Sequence, residues 1–216
     1  MPSLTPKISA IVLAAGNGSR FGGDKLLQPI NLTDERGRLH KRPIGLTSAL
    51  NVQPHVDEVI CVVRPDDQTL IALLNAHNMT TIANPHHSLG LSSSINVGVT
   101  SAKPDNAIMI CLADMPFIKA NSYQDLIQLF SLNTQSITRL TYQTDTLKQS
   151  GHPVMFPNNI RYQLLELKGD KGAQPLINER PISTAVSNDE GIIFDIDTQQ
   201  DLLKAANKKA SGAGLV

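Results

Sequence analysis

The residues best suited to chemistry begin in LAAGNGSRFGGDK, Leu13 to Lys25, where small residues and two cations follow an apolar run. Ala14, Ala15, Gly16 and Gly18 keep side-chain bulk away from the backbone, so N–H groups can close on an anion. Arg20 and Lys25 add positive charge beside those groups, and the combination is a receptor for a polyphosphate. Further on, NAIMICLADMP sets Asp114 directly after the strongest apolar run of the chain. A carboxylate at the carboxyl end of a central strand is where a divalent cation bridging phosphates is held, which makes Asp114 the first metal-ligand candidate. In LGLSSSINVG, Gly90, Ser92, Ser93 and Ser94 precede apolar positions at helical spacing. They predict a helix start whose free N–H groups and hydroxyls suit an anion or a nucleobase edge.

Familiar alternatives fail on spacing. A P-loop needs Gly-Lys followed by Ser or Thr, whereas Lys25 lies between Asp24 and Leu26. A dinucleotide fingerprint starting at Gly16 would need glycine where Phe21 stands, and the next strand ends in Arg64 and Pro65 rather than an acid. His86 and His87 are adjacent, so their side chains diverge, and no third ligand is in view. Cys61 and Cys111 sit inside apolar runs and read as core.

These residues need a scaffold, and the hydrophobic pattern supplies one. Ile8 to Leu13, Val59 to Val63, Thr80 to Ala83 and Asn106 to Asp114 read as strands. Between and after them, Ile44 to Val52, Asp66 to Asn75 (capped by Asp66 or Asp67) and Ala120 to Leu132 read as helices. Ser136 to Tyr142 and Gly151 to Pro157 read as later strands, and Asn158 to Leu167 as helical. Ile192 to Thr198 reads as a last strand, with Asp195 and Asp197 on one side and Thr198 capping a final helix. Alternating strands and helices imply an α/β fold with a mainly parallel twisted sheet and ligands at the carboxyl ends of its strands.

A chain of 216 residues is long enough for one sizeable core, so residues 1–216 are expected to form one domain. Residues 31–42 are expected as a surface insertion, a hairpin with Gly37 at its tip, and 207–216 as a loose tail. Lys plus Arg and Asp plus Glu are both 19, so no global field favours nucleic acid or an anionic membrane, and attraction for phosphate must be local. No apolar run approaches the roughly 20 residues of a spanning helix. The start, MPSLTPKIS, lacks the regions of a signal peptide, which reads as cytoplasmic.

Several of these stretches together resemble the nucleotidyltransferases related to the molybdenum cofactor cytidylyl- and guanylyltransferases, the MobA-like family. The first loop is similar to LAAGxSxRFGxxK, LADMP matches the family's metal-binding signature, and Asn84, Gly90, Ser92 to Ser94, Ile95 and Gly98 match its serine motif. GHPVMF and GDKGA are similar to two more of its segments. The resemblance implies a three-layer, Rossmann-like nucleotide-diphospho-sugar transferase fold. It implies nucleotide contact by Leu13, Ala14, Ala15, Gly16, Gly18, Arg20, Lys25, Gly90, Ser94 and Asp114. Arg20, Lys25 and Asp114 would be catalytic, Asp114 and Asp197 would hold Mg2+, with Mn2+ possible and Asp195 as an alternative ligand, and His152, Asp170 and Lys171 would face the acceptor.

An NTP donor follows, with CTP favoured because Ala15 resembles the cytidylyl form where guanylyl relatives have LAGG. A phosphorylated acceptor, molybdopterin favoured, completes the pair, with a molybdoenzyme or chaperone as a further partner. A GTP-using guanylyltransferase, a sugar- or polyol-phosphate cytidylyltransferase, a non-catalytic cofactor-delivery module and a Rossmann oxidoreductase are the alternatives. Gln174 departs from the arginine common in relatives.

Overall fold

Alternation along the apolar runs builds the molecule. In β1 (Ile8–Ala14) every residue is buried, and successive side chains feed two different cores. β1 pairs in parallel with β4 (Glu58–Val63) on one side and β6 (Ala107–Leu112) on the other. β4 in turn pairs in parallel with β5 (Thr80–Ala83). The sheet continues from β6 through β8 (Lys148–Phe156), which is antiparallel to it, to β7 (Ile137–Gln143) and β9 (Ile182–Ser187). The order is β5-β4-β1-β6-β8-β7-β9, a mostly parallel seven-stranded sheet. This computed structural model describes residues 6–16, 18, 21–33 and 37–211.

Helices cover both faces. α1 (Ile44–Val52), α2 (Gln68–Asn75) and α4 (Ala120–Leu132) bury Leu46, Leu70, Tyr123 and Phe130 against Val12, Cys61 and Met109. α3 (Leu91–Ser101), α5 (Arg161–Leu165) and α6 (Gln174–Asn178) bury Ile95, Leu164 and Ile177 against Ile11, Ile60 and Ile110. α3 can lie close on β1 because a Cβ at Gly98 would come within 2.3 Å of Ile11. Arg161 ties its end down, donating to the carbonyls of Val99, Ala102 and Lys103. Burial raises the Cys61 thiol to about 12 and moves Cys111 the same way, as inert core cysteines should.

The expected insertion is a hairpin, β2 (Pro29–Thr33) paired with β3 (Leu39–Pro43), with Gly37 at positive φ in its connection. Ile30 and Leu32 turn inward to a third core with Phe21, Ile44 and Ile196. Three local expectations are corrected. Ile192 to Thr198 is no strand: a 3-10 turn, Glu190–Ile193, gives way to irregular chain. Its apolar alternation is real, but Ile192 packs on the sheet and Ile196 into the third core instead of pairing with a neighbour. α2 starts at Gln68 with Asp67 in the cap position making no cap bond; the carboxylate lies 3.7 Å from Arg64 instead. Residues 207–211, expected as tail, continue α7 (Gln199–Ser211), and 212–216 lie outside the described residues. β9 had no sequence signal, its burial being patchy along an edge. Thr198 does cap α7: its Oγ1 accepts from the Asp201 N–H at 3.2 Å while Asp201 Oδ2 accepts from the Thr198 N–H at 2.9 Å. No helix among the described residues is long and apolar enough to cross a membrane.

Candidate active site

Two short hydrogen bonds shape the loop after β1, Phe21 N–H to the Gly18 carbonyl at 2.9 Å and Lys25 N–H to the Gly23 carbonyl at 2.8 Å. The Phe21 side chain is buried in the third core, which fixes where the loop turns back. Lys25 then reaches across the strand ends. Its Nζ donates to Asp114 Oδ2 at 2.7 Å and to Asp197 Oδ1 at 3.1 Å.

Each carboxylate is placed by backbone as well as by core. The Ala113 N–H donates to the Leu13 carbonyl at 3.2 Å, holding the Asp114 turn against the end of β1. The fully buried Ile196 donates its N–H to the Asp114 carbonyl at 3.0 Å, so Asp195 and Asp197 flank an anchored residue. Burial opposes the Lys25 ammonium, but the charges and hydrogen bonds of Asp114 and Asp197 outweigh it and raise its pKa. Desolvation, followed by the charges of Asp197 and Asp114, raises the pKa of Asp195, which shares the same field.

This donor set fits a divalent cation. Asp114 Oδ1 is shut off from solvent and accepts no hydrogen bond, while the Lys25 ammonium between the two carboxylates stands in for a metal ion. Oxygen-only donors suit a hard cation. Among the described residues no three His, Cys, Asp or Glu groups converge on one point. Two protein carboxylates leave the other positions to water and phosphate oxygens, which is how magnesium is usually held.

Beside this cluster lies a cavity of about 70 Å³ lined by Leu13, Ala14, Gly16, Gly18, Lys25 and Asp114. Ligand pockets run to roughly 300–1,000 Å³, so this space takes a phosphate-sized group and the rest of a nucleotide must lie outside it. Ala15 is buried directly behind the lining. Arg20 lies outside the described residues. Sequence reasoning missed Arg64, which lines the same cavity with Asp67. Its Nε is buried without a hydrogen bond and stands 3.7 Å from Asp66 Oδ1. The signal was indirect: the parallel register sets Ala14 beside Val63, which puts Arg64 next to the loop.

The serine segment is organised differently. The helix already begins at Leu91, so the serines lie within its first turn; the N–H groups of Ser92 and Ser93 and the Ser93 hydroxyl, expected to be free, already donate to backbone carbonyls, whereas among the described residues Ser94 Oγ only accepts. Asn84 Nδ2 donates to Ser93 Oγ at 2.9 Å and Ser94 Oγ at 3.0 Å, and the Ser92 N–H donates to the Gly169 carbonyl at 3.1 Å. Gly90 has φ +100, and a Cβ there would meet Asp170 Oδ1 at 2.4 Å. Asp170 and Lys171, both exposed, therefore stand over the start of α3, and among the described residues neither hydrogen-bonds Asp114 or Lys25.

His152 comes closer to the cluster. It is part-buried on β8, with its Nδ1 shut off from solvent and without a hydrogen-bond partner. Burial lowers its pKa, outweighing the raising effects of the Asp114 charge and of a hydrogen bond to the Ile110 backbone. Both loop histidines were expected to be exposed: His86 is, whereas His87 is part-buried with its Nδ1 shut off from solvent.

Residues 10–185 match the family model of the MobA-like NTP transferase domain. Nicotine blue oxidoreductase from Paenarthrobacter nicotinovorans is 26% identical over 206 residues, 92% of this chain and 96% of that relative. Among solved structures, 4-diphosphocytidyl-2C-methyl-D-erythritol synthase from Anaerococcus prevotii superposes with a TM-score of 0.71 at 18% identity, covering 95% of this chain and 97% of that one. Rv0371C from Mycobacterium tuberculosis H37Rv in complex with manganese superposes with a TM-score of 0.68 at 20% identity, covering 94% and 99%. At such identities the likeness shows a shared fold.

Proposed function

The chain belongs to the MobA-like NTP transferase family, and on that premise we propose that it moves a nucleotidyl group from CTP to a phosphorylated small molecule, molybdopterin being favoured, with release of pyrophosphate. The observation that carries this is Lys25 seated between Asp114 and Asp197 at the mouth of the glycine loop. The acceptor phosphate is already anionic near neutral pH, so no general base is needed. One of its oxygens forms a bond to the α-phosphorus while the bond from that phosphorus to the β-phosphate oxygen breaks, and pyrophosphate leaves with the electron pair.

Magnesium or manganese, when bound, would supply Lewis-acid polarisation of the α-phosphate and neutralise charge. Asp114 and Asp197 would hold it, with Asp195 in reserve. Lys25 and Arg20 neutralise the triphosphate and the departing pyrophosphate, and N–H groups of Ala15, Gly16 and Gly18 hold it in line. Leu13, Ala14, Gly90 and Ser94 border the nucleoside, while His152, Asp170 and Lys171 face the acceptor. CTP is preferred because Ala15 stands where guanylyl relatives carry glycine and because a solved structure of the same fold bears a diphosphocytidyl name. A cytoplasmic, single-domain enzyme that hands its product to a molybdoenzyme or chaperone completes the reading.

The name of the oxidoreductase relative favours one second reading, electron transfer to an organic substrate. Incubation with α-labelled CTP or GTP, magnesium and molybdopterin separates the two. Labelled product and pyrophosphate support transfer. Nucleotide binding without product points to a delivery module, and nicotinamide turnover to the oxidoreductase. Asp114→Asn is expected to lower transfer by about a thousandfold with the melting temperature held, since it removes a metal-holding charge at the reacting centre. Near-normal turnover in that variant overturns the assignment.

A further inference from the structure

Transfer of this kind brings two polyanions together, and the cations of the glycine loop serve only one of them. On the other side of β6 the sheet continues to β8 and β7. There Arg139 of β7 pairs with Val154 of β8, which pairs with Ile110 of β6. The next pair on β7 and β8 is Thr141 with Ser150, so Leu140 alone faces Gly151, His152 and Pro153. Such bulges gather beside active sites, where they re-aim a side chain. The bulge carries His152, which feels two charges: Asp114 raises its pKa and Arg139 lowers it. His152 on β8 thus lies between β6, whose following turn carries Asp114, and β7, which carries Arg139, on the side of β6 away from β1.

Arg139 is half-buried, yet its Nε–H is shut off from solvent and donates to no partner, and among the described residues no carboxylate pairs with it. Burial lowers its pKa from the ordinary arginine value. By contrast, Arg161 donates to three backbone carbonyls and Arg180 to Gln163. A partly desolvated guanidinium beside an imidazole with an equally unpartnered Nδ1 is unfavourable unless a ligand completes both.

We propose that Arg139 and His152 form the anion-binding side of the acceptor site, Arg139 gripping the phosphate of a phosphomonoester with its planar fork and His152 hydrogen-bonding beside it. This rests on the nucleotidyl-transfer reading. Arg139 offsets the repulsion met when a dianion is brought up to a bound triphosphate.

Calorimetric titration of inorganic phosphate into protein saturated with magnesium and CTP or GTP, whichever raises its melting temperature, reads this site, because the triphosphate blocks the loop. Phosphate is expected to bind the wild type. Arg139→Gln should weaken it about tenfold or more, the loss of one charge-assisted contact, and Arg139→Lys should restore part of it. Nucleotide affinity should stay within about twofold in both, the two sites being separate. If Arg139→Gln does not fold, His152→Gln decides, with a severalfold loss of phosphate affinity expected. Unchanged phosphate binding in the folded variant, equal loss of phosphate and nucleotide binding, or no phosphate binding by the nucleotide-saturated wild type each overturns the assignment. If neither nucleotide binds the wild type, the transfer reading falls and this one with it; if nucleotide binds and phosphate does not, only this one falls.

Discussion

Two glycine-bearing turns lie at the carboxyl ends of the strands, and they use glycine for opposite purposes. Around the first, a Cβ built at Gly16, Gly22 or Gly23 would meet nothing within 4 Å among the described residues. Around the second, a Cβ at Gly90 would strike Asp170 and Gly169 at 2.4 and 2.6 Å, and one at Gly172 would meet Leu91 at 2.8 Å. The first turn is open among the described residues. The second keeps space for the protein itself, letting the 169–172 segment close over the start of α3. Similar composition thus gives an open turn in one place and a tightly packed joint in the other, and only the surrounding chain distinguishes them.

The sharpest way to break this contrast is Gly90→Ala. Overpacking of that joint plus a strained positive φ should cost about 2–4 kcal/mol and lower the melting temperature by roughly 5–15 °C. A scan showing a shift of under a degree would mean the joint is loose and the comparison false. Next in size is Lys25→Met, which leaves Asp114 and Asp197 facing each other without their ammonium. Without nucleotide, Mn2+ affinity read by electron paramagnetic resonance should rise about tenfold, as removal of a competing cation implies. Unaltered Mn2+ binding would show that the lysine does not occupy the metal position. The smallest effect is expected from Gly16→Ala. Its melting temperature should stay within about 1 °C, as for other changes that touch nothing, while nucleotide affinity falls about fivefold because the added methyl enters the phosphate space. A large drop in stability there would make the first turn a packing joint as well.

The strands flanking the site were legible because Ile8 to Ala14 and Ala107 to Leu112 are buried on both faces and leave near-continuous apolar runs. The convergence of Lys25 with Asp114 and Asp197 followed from motif resemblance. Local pattern alone could not supply it, because the contact spans 172 positions. The stretch around Ile196 misled for a physical reason: alternation records which side chains are buried, and a third core buries them as well as a sheet does. Arg64 and Arg139 escaped notice because a single cation at a strand end or inside a strand has no local signature. Register alone brings one beside the glycine loop and the other beside His152.

The hydrogen bond from Ile196 to the Asp114 carbonyl also sets an order of events during synthesis. Every strand of the sheet is made before Asp197 emerges from the ribosome, so a nascent chain can have its scaffold and its glycine loop while Asp197 has yet to reach Lys25. On the proposed transfer reading, a chain broken off before the last segment would lack Asp197 and is expected to hold nucleotide poorly and leave it unspent.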